Sequence, residues 1–189
     1  MKTLLLTGGS SGIGLHTVQL FAEKGWTVFE LSRSGKSTQD VTHIDCDVTD
    51  DVSVKQAISE VMQRIDHLDV VINNAGFGIS GPIEYTSTTE AQKQFDVNFF
   101  GAFRLTKAVL PILRKQGRGR IIFTSSVAAD LSIPYQSFYS ASKSALNAMA
   151  LALANEVREF GIRVSVLMPG DVATGFTDAR EKNIQGAEM

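Results

Sequence analysis

Short apolar runs alternate with longer amphipathic stretches along the whole chain. A short run of apolar or β-branched residues between turn-forming residues is typical of a buried strand, whereas apolar residues recurring every three or four positions are typical of a helix. The predicted strands cover residues 2–6, 27–31, 42–44, 70–72, 121–124 and 164–168. The predicted helices cover residues 13–24, 52–65, 90–114 and 138–160. This alternation predicts an α/β fold, with helices covering both faces of a parallel sheet.

The first predicted strand leads directly into a glycine-rich segment, Thr7-Gly8-Gly9-Ser10-Ser11-Gly12-Ile13-Gly14, and then into a helix. Strand, glycine turn and helix form the context in which a dinucleotide is bound. The glycines allow close approach of the backbone, and the helix N-terminus offers free N–H groups and a positive dipole end to a pyrophosphate. The segment lacks the Gly-Lys-Ser/Thr ending of a nucleotide-hydrolysing P-loop. A glycine-rich turn without a ligand is the alternative.

Tyr139 and Lys143 stand four residues apart in the last predicted helix, so their side chains share one face. A phenol with a pKa near 10 is a poor base at neutral pH. A fixed cation nearby favours the phenolate, and the pair can then move a proton to or from a substrate oxygen. Taken alone, the pair is also compatible with two surface residues on a solvated helix.

Composition excludes several classes of protein. Of 189 residues, 43% are hydrophobic and 20% are charged, and the net charge of −2 provides no basic surface for nucleic acid. The single cysteine, Cys46, excludes an internal disulfide. His16, His43 and His67 show no metal-ligand spacing, so we predict no metal. No apolar run is long enough for a membrane span, and Met1–Leu6 is interpreted as a strand rather than a signal peptide, so a cytoplasmic protein is expected.

Further motifs, taken in chain order, identify a family. They are the glycine loop, Asp47-Val48, Asn73-Asn74-Ala75-Gly76, the set Asn98, Ser126, Tyr139 and Lys143, and Pro169-Gly170 with Val172 and Thr174. In this order and at these spacings, the chain resembles the short-chain dehydrogenase/reductases over its whole length. The resemblance implies a single Rossmann-type domain over residues 1–189. Its doubly wound parallel sheet would have the strand order 3-2-1-4-5-6 and would bind ligands beyond the C-terminal strand ends.

The resemblance also implies a catalytic set of Asn98, Ser126, Tyr139 and Lys143. Tyr139 would be the acid in reduction and the base in oxidation, and Lys143 would lower the tyrosine pKa and bind the nicotinamide ribose. Ser126 would donate to the carbonyl oxygen, where negative charge develops. Ser125 is the rival for that role, and adjacent strand residues face opposite ways, so both cannot serve equally. Asn98 would hold a water that links Lys143 to solvent.

Nicotinamide-cofactor contacts are implied for several segments of the chain. Asp47-Val48 would contact the adenine, and Thr174 would lie near the nicotinamide carboxamide. The implied cofactor-binding residues are Gly8, Ser10, Ser11, Gly12, Ile13, Gly14, Ser32, Arg33, Asp47, Val48, Asn74, Ala75, Gly76, Tyr139, Lys143, Pro169, Gly170, Val172 and Thr174.

The end of the second predicted strand bears on the choice of cofactor. An acid there would accept the ribose 2′-hydroxyl of NAD and repel the 2′-phosphate of NADP. This chain has Ser32 followed by Arg33, which suits a phosphate by charge and bidentate geometry, so NADP(H) is favoured. NAD(H) is retained as an alternative cofactor for two reasons. Ser11 stands where many NADP-using relatives carry a basic residue, and Glu30 would become an NAD-type acid if the register of the strand were displaced.

The residues expected to line a substrate site are mostly apolar and favour a small-molecule ketone or alcohol that is lipid-like, steroid-like or aromatic. They are Phe77, Ile79, Ala128, Leu131, Ile133, Tyr135, Asp171 and Val172. Residues 76–84 are also similar to hydroxysteroid and retinol dehydrogenases.

The sequence ends before the last helix and strand of the family, so residues 175–189 are expected to form a partial substrate lid or a flexible tail. The predicted function is NADP(H)-dependent interconversion of a secondary alcohol and a ketone. We expect a homodimer or homotetramer formed through the helices that carry Asn98 and Tyr139. One alternative is a short or truncated member that binds cofactor but is catalytically impaired. Another is an enzyme that epimerises or dehydrates its substrate through a transient ketone.

Overall fold

The computed structural model describes residues 1–172 and 181–182. The strands are β1 (Thr3–Thr7), β2 (Thr27–Ser32), β3 (Val41–Asp45), β4 (Val70–Asn73), β5 (Ile79–Ser80), β6 (Gly119–Thr124), β7 (Ile162–Leu167) and β8 (Glu181–Lys182). The α-helices are α1 (Gly12–Glu23), α2 (Asp51–Arg64), α3 (Thr88–Phe95), α4 (Ala102–Gln116) and α5 (Ser137–Glu156). Thr174 and most of the expected lid or tail, 175–189, lie outside the described residues.

Six strands form a parallel sheet in the order β3-β2-β1-β4-β6-β7. Because β6 and β7 are the fifth and sixth predicted strands, this confirms the order 3-2-1-4-5-6. A separate parallel pair joins β5 to β8. Parallel strands end at a common edge, so the loops after β1, β2, β3, β4, β6 and β7 lie near one another.

The centre of the sheet is buried on both faces, as its apolar strands predict, whereas alternate residues of the edge strand β7 are exposed. All of β1 is buried, and successive residues contribute to opposite sides. Leu5 belongs to one apolar cluster, together with residues of α2, α4 and α5. Leu4 and Leu6 belong to another, together with Val18 of α1. This alternation holds the loop after β1 between two packed layers.

The predicted helix 90–114 differs from the structure in its middle. Instead of one continuous helix, α3 is followed by a π-helical turn at Asp96–Gly101 and then by α4. Asn98 and Gly101 are buried in this turn. A Cβ on Gly101 would lie 2.8 Å from Val48, so close packing against the loop after β3 accompanies the change in helical pitch.

The predicted helix 138–160 is also shorter than expected. It ends at Glu156 and is followed by a 3₁₀ turn at Arg158–Phe160. Gly161 then adopts a left-handed conformation with φ 68°, which terminates the turn directly after the predicted end of the helix. Within residues 1–172 and 181–182, no helix is both long and apolar enough to cross a membrane.

Candidate active site

The loops at the carboxyl edge of the sheet surround a cleft of about 970 Å³. Every predicted cofactor residue in the described part of the chain lines it. These residues are Gly8, Ser10, Ser11, Gly12, Ile13, Gly14, Ser32, Arg33, Asp47, Val48, Asn74, Ala75, Gly76, Tyr139, Lys143, Pro169, Gly170 and Val172. The fold thus brings together segments that are far apart in the sequence.

The glycine loop is shaped to receive a ligand closely. Gly8 and Gly12 have positive φ angles of 72° and 53°, which favour glycine. A Cβ on Gly14 would overlap the Gly8 carbonyl oxygen. Asn74 Nδ2 donates to that oxygen at 3.1 Å and ties the loop to the end of β4. Ser11 makes no side-chain capping bond, and the first turn of α1 has no acidic residue, so the N–H groups of this turn suit a pyrophosphate.

Ser32 and Arg33 lie where β2 meets the cleft. Ser32 Oγ is buried and has no hydrogen-bond partner among the described residues, so it suits a ribose or phosphate oxygen. Arg33 is exposed at the mouth of the cleft. Burial alone would raise the pKa of Asp47, but hydrogen bonds from Thr49 and the charges of Arg33 and Arg104 outweigh it and lower that pKa. The cleft mouth therefore carries opposite charges at the end of neighbouring strands.

Helix α5 buries Tyr139 and Lys143 together, one turn apart. Lys143 Nζ donates to the Thr124 carbonyl oxygen at 2.7 Å and lies 5.7 Å from the centroid of the Tyr139 ring. Burial lowers the pKa of Lys143 to about 8. The amine therefore titrates close to neutral pH beside a phenol, which is an arrangement suited to proton transfer.

The two serines after β6 differ in their surroundings. Ser125 is buried, and its Oγ donates to the Lys143 carbonyl oxygen at 3.3 Å. Ser126 is only partly buried, and its Oγ accepts from the Ala128 N–H at 3.1 Å. A hydroxyl that accepts a bond keeps its own hydrogen for donation. Of the two rivals, Ser126 is therefore the better donor to a carbonyl oxygen in the cleft.

Asn98 is buried in the π-helical turn and binds the backbone that follows β4. Its Oδ1 accepts from the Phe77 N–H and its Nδ2 donates to the Phe77 carbonyl oxygen, each at 3.0 Å. Nδ2 also donates to Ser142 Oγ on α5 at 3.1 Å. A Cβ on Gly76 would lie 3.1 Å from Asn98 Oδ1 and 3.5 Å from Lys143 Nζ. Asn98 thus joins α5 to the Phe77 segment of the cleft, while its link to Lys143 through a water stays a prediction.

Glu30 is not among the residues that line the cleft. Its carboxylate is buried, where Oε1 accepts from the Gly9 N–H at 2.9 Å and Oε2 lies 2.5 Å from His43 Nδ1. Ser32, two residues later, occupies the cleft-facing position at the end of β2. The displaced register that would make Glu30 a ribose ligand is not observed.

Gln94 does not itself line the cleft, but it binds the backbone of Phe77, which does, and no sequence motif indicates it. It is fully buried, its Oε1 accepts from the Ile79 N–H at 2.8 Å and its Nε2 donates to the Phe77 carbonyl oxygen. It precedes Asn98 by four residues, so helical spacing is the signal that points to it. Residues that line the cleft outside the predicted set include Leu31, Cys46, Gly78, Lys93, Val97, Thr124, Val127 and Gln136.

The expected substrate-lining set requires correction. The members that line the cleft are Phe77, Ala128, Ile133, Asp171 and Val172. Ile79 is buried beside Gln94 instead, and Leu131 and Tyr135 are 70% and 63% exposed. Loop residues cannot be assigned to a wall from sequence order alone, because the direction of each side chain depends on the turn that holds it.

Comparison with known proteins identifies the family. The family model described as short chain dehydrogenase matches residues 2–185. The chain belongs to this family. A 3-ketodihydrosphingosine reductase of Bacteroides thetaiotaomicron is 45% identical to this short-chain dehydrogenase over 180 residues, which cover 95% of this chain and 67% of the relative. Human retinol dehydrogenase 8 is 38% identical over 100% of this chain and 64% of the relative.

A solved structure of ElxO with NADP bound has the same fold as this short-chain dehydrogenase. The TM-score is 0.88 at 26% identity, and the match covers 100% of this chain and 79% of the other. The chain thus spans roughly two thirds to four fifths of the length of these proteins. The predicted family and fold are both confirmed.

Proposed function

We propose that this short-chain dehydrogenase is an NADP(H)-dependent oxidoreductase that interconverts a secondary alcohol and a ketone, with Tyr139 as acid and base. One observation carries the proposal: α5 buries Tyr139 and Lys143 together on the wall of the cleft that the glycine loop enters. Burial of a phenol and an amine costs desolvation free energy, and nucleotide binding alone does not require this pair.

The residues of the cleft suit a nicotinamide dinucleotide. The glycine loop and the N-terminus of α1 would hold the pyrophosphate, and the buried, unpartnered hydroxyl of Ser32 would bind an oxygen of the adenosine ribose or its phosphate. Arg33 would bind a 2′-phosphate. When bound, the nicotinamide supplies or accepts the hydride.

The chain itself supplies proton transfer and orientation. In the reductive direction, Tyr139 would donate a proton to the substrate oxygen, and the Lys143 ammonium would favour the phenolate that remains. Ser126 would donate a hydrogen bond to the same oxygen as its negative charge grows. Asn98 would hold the Phe77 segment and α5 in register through the three hydrogen bonds described above.

The apolar side of the cleft supports a lipid-like substrate. Phe77, Val127, Ala128, Ile133 and Val172 contribute its apolar lining. The relative that is 45% identical is a 3-ketodihydrosphingosine reductase. We therefore propose that the substrate is a ketone or secondary alcohol with a long apolar chain.

The choice of cofactor is tested by calorimetric titration of the purified chain with NADPH and with NADH. Arg33→Ala is expected to weaken NADPH binding about ten- to hundredfold, because hydrogen bonds to charged groups contribute about 1.5–3 kcal/mol. NADH binding should change little. Arg64→Ala is the matched control, since Arg64 pairs with Glu60 on the surface of α2. An equal loss of affinity for both cofactors in Arg33→Ala would show that Arg33 does not bind the 2′-phosphate.

The reaction is tested by following NADPH consumption with a series of 2-alkanones of increasing chain length. We expect kcat/KM to rise along the series, by at most about fourfold per added methylene, because each buried CH₂ contributes about 0.8 kcal/mol. Tyr139→Phe should lower kcat by about 10²–10⁴-fold while leaving the NADPH affinity nearly unchanged. Cofactor binding without turnover of any ketone or alcohol would instead support the catalytically impaired alternative.

A further inference from the structure

A glutamate lies in the middle of the buried strand β2, where a parallel sheet normally has apolar residues. Glu30 is 3% exposed and pairs across the sheet with Leu6 on β1 and His43 on β3. Burial of a carboxylate is costly unless it has partners, so its contacts indicate what the residue does.

The Glu30 carboxylate joins two different structures. Oε1 accepts a hydrogen bond from the Gly9 N–H, in the middle of the glycine loop, at 2.9 Å. Oε2 lies 2.5 Å from His43 Nδ1. On the other side of the imidazole, Nε2 lies 3.1 Å from Asp45 Oδ1. A chain of polar contacts therefore runs from the surface at Asp45 to the backbone of the loop that would hold the cofactor.

Two glycines pack directly against this pair. A Cβ on Gly9 would overlap Glu30 Cγ, and a Cβ on Gly35 would overlap both Glu30 Oε2 and His43 Nδ1. Gly9 belongs to the glycine loop, and Gly35 follows Arg33 in the loop after β2. The pair is thus enclosed between the two loops that flank the adenosine end of the cleft.

We propose that Glu30 and His43 form a carboxylate–imidazolium pair that positions the glycine loop through Gly9, so that deprotonation of His43 loosens the loop and weakens cofactor binding. The proposal rests on the proposed function, because the loop matters only if it holds a cofactor. Glu30 and His43 are positioning residues, since neither lines the cleft.

The physical reason is the cost of a buried charge without a partner. While His43 is an imidazolium, the Glu30 carboxylate is paired and can remain inside the sheet. After His43 loses its proton, the carboxylate is a buried ion without a cation, which favours its movement toward water. The Gly9 N–H would then lose its acceptor.

The ionisable groups that shift His43 lie on two strands. Burial alone would lower the pKa of His43, but hydrogen bonds and charges from Glu30 on β2 and Asp45 on β3 outweigh it and raise that pKa above 6.5. The loop between β2 and β3 contributes an uncharged group, Ser37 Oγ, which accepts a hydrogen bond from the backbone N–H of His43 at 3.0 Å. Cys46, three residues after His43, has a pKa raised by burial to about 11 and stays neutral between pH 5 and pH 9.

The raised pKa of His43 determines how the glycine loop responds to pH. A raised pKa in the folded protein means that the pair contributes fully below pH 6.5 and is lost as the pH rises through the folded-state pKa. We therefore expect the glycine loop to be held more firmly, and the cofactor to bind more tightly, at pH 6 than at pH 9.

The first measurement follows the Gly9 amide resonance of the ¹⁵N-labelled chain, without cofactor, between pH 5 and pH 9. In the wild type, the Gly9 resonance should titrate with a midpoint above 6.5. It should not titrate in His43→Gln. In Glu30→Gln, the side-chain carbonyl can still accept from Gly9, so the loop should stay folded but its resonance should no longer report a titration of His43. His67→Gln is the matched control, because His67 pairs with Asp69 and lies outside the cleft.

The second measurement is the Kd of NADPH by calorimetry over the same range. We expect the wild-type Kd to rise about three- to tenfold more between pH 6 and pH 9 than that of His43→Gln or Glu30→Gln, because the Glu30 carboxylate loses its cationic partner only in the wild type. Taking the difference between variants removes the titrations of Lys143 and of the cofactor phosphate, which all variants share.

The outcomes distinguish the role of Glu30 and His43 from the proposed oxidoreductase function. A Gly9 resonance that does not titrate in the wild type, or wild-type and His43→Gln Kd profiles that coincide, would overturn the proposed coupling between His43 ionisation and the glycine loop. Absence of cofactor binding at every pH, together with a normal Gly9 titration, would overturn the proposed function and support the coupling.

Discussion

Lys143 lines the cleft beside Tyr139, and the proposed mechanism depends on the charge of its amine. Its amine is buried, donates to the Thr124 carbonyl oxygen at 2.7 Å and lies over the Tyr139 ring. A buried amine loses most of its hydration, which disfavours the charged form and explains why its pKa falls to about 8. The ammonium that the proposed reaction would use is therefore present at neutral pH and removed by a small rise in pH.

We expect kcat/KM for NADPH to fall as the pH rises through about 8, because Lys143 then loses the charge that stabilises the phenolate and the bound cofactor. A pH profile of initial rates at saturating ketone measures this limb. Lys143→Arg keeps a cation at every assay pH and should shift the limb upward if it retains activity. A wild-type profile that stays flat to pH 10 would contradict the assignment.

The lowered pKa of Lys143 also leads to a prediction about the pH dependence of the free energy of unfolding. Its folded-state pKa of about 8 lies below its ordinary value of 10.5, so its stabilising contribution is present above 10.5 and is lost as the pH falls through about 8. Lys143→Met removes the buried cation and should reduce this pH dependence between 8 and 10.5. Urea denaturation at several pH values measures it. An unchanged dependence in Lys143→Met would assign it to other groups.

At the scale of elements, α3 and the π-helical turn hold the segment after β4 from one side. Gln94 and Asn98, four residues apart, bind the backbone of Phe77 and Ile79 through both ends of their amide groups. The segment itself has little regular structure, since β5 spans only Ile79–Ser80. Its place in the cleft wall therefore depends on these two side chains.

Gln94→Leu keeps the size of the side chain but leaves the Ile79 N–H without its acceptor and removes one of the two side-chain donors to the Phe77 carbonyl oxygen. We expect it to lower the free energy of unfolding by about 2 kcal/mol. It should also lower kcat/KM for the ketone more than it weakens NADPH binding, because the Phe77 segment lies away from Arg33 and the adenosine end. Denaturation and steady-state kinetics measure these effects. Gln92→Leu, at an exposed position of the same helix, is the control, and equal effects of the two variants would refute the role of Gln94.

At the scale of the molecule, large apolar side chains remain exposed on the helices expected to form an interface. Phe100 and Phe103, in the π-helical turn and α4, are 46% and 42% exposed, and Leu151 on α5 is 66% exposed. Apolar area of this kind is favourably buried against another protein surface. It agrees with the expectation of a homodimer or homotetramer, which stays a prediction.

The double substitution Phe103→Glu with Leu151→Glu should shift the protein toward monomers, because it places carboxylates in a face that would be buried. Sedimentation velocity measures the shift. Val52→Glu is the control, since Val52 is 58% exposed on α2, outside the proposed interface. A wild-type protein that is monomeric at micromolar concentration would refute the predicted assembly.

The sequence by itself determined the features that depend on local periodicity and chain order. Each strand of the main sheet and the helices α1, α2 and α5 were predicted within a few residues, because apolar spacing reflects the geometry of a single element. The single helix predicted over residues 90–114 is instead divided into α3, a π-helical turn and α4. The glycine loop, the Tyr139–Lys143 face and the position of Ser32 follow from spacings of a few residues. The predicted cofactor residues among the described part of the chain all line one cleft, because parallel strands end at the same edge of the sheet.

The tertiary structure decided whatever depends on contacts between distant segments. Ser125 and Ser126 are neighbours with similar chemistry, and only their tertiary contacts distinguish them, with Lys143 on α5 for Ser125 and with the turn at Ala128 for Ser126. The burial of Glu30 has no local explanation, but His43 lies beside it on the next strand and Gly9 meets it from the preceding loop. Hydrogen bonds between distant segments produce no periodic pattern in the sequence, because the fold, and not the neighbouring residues along the chain, determines which groups come into contact.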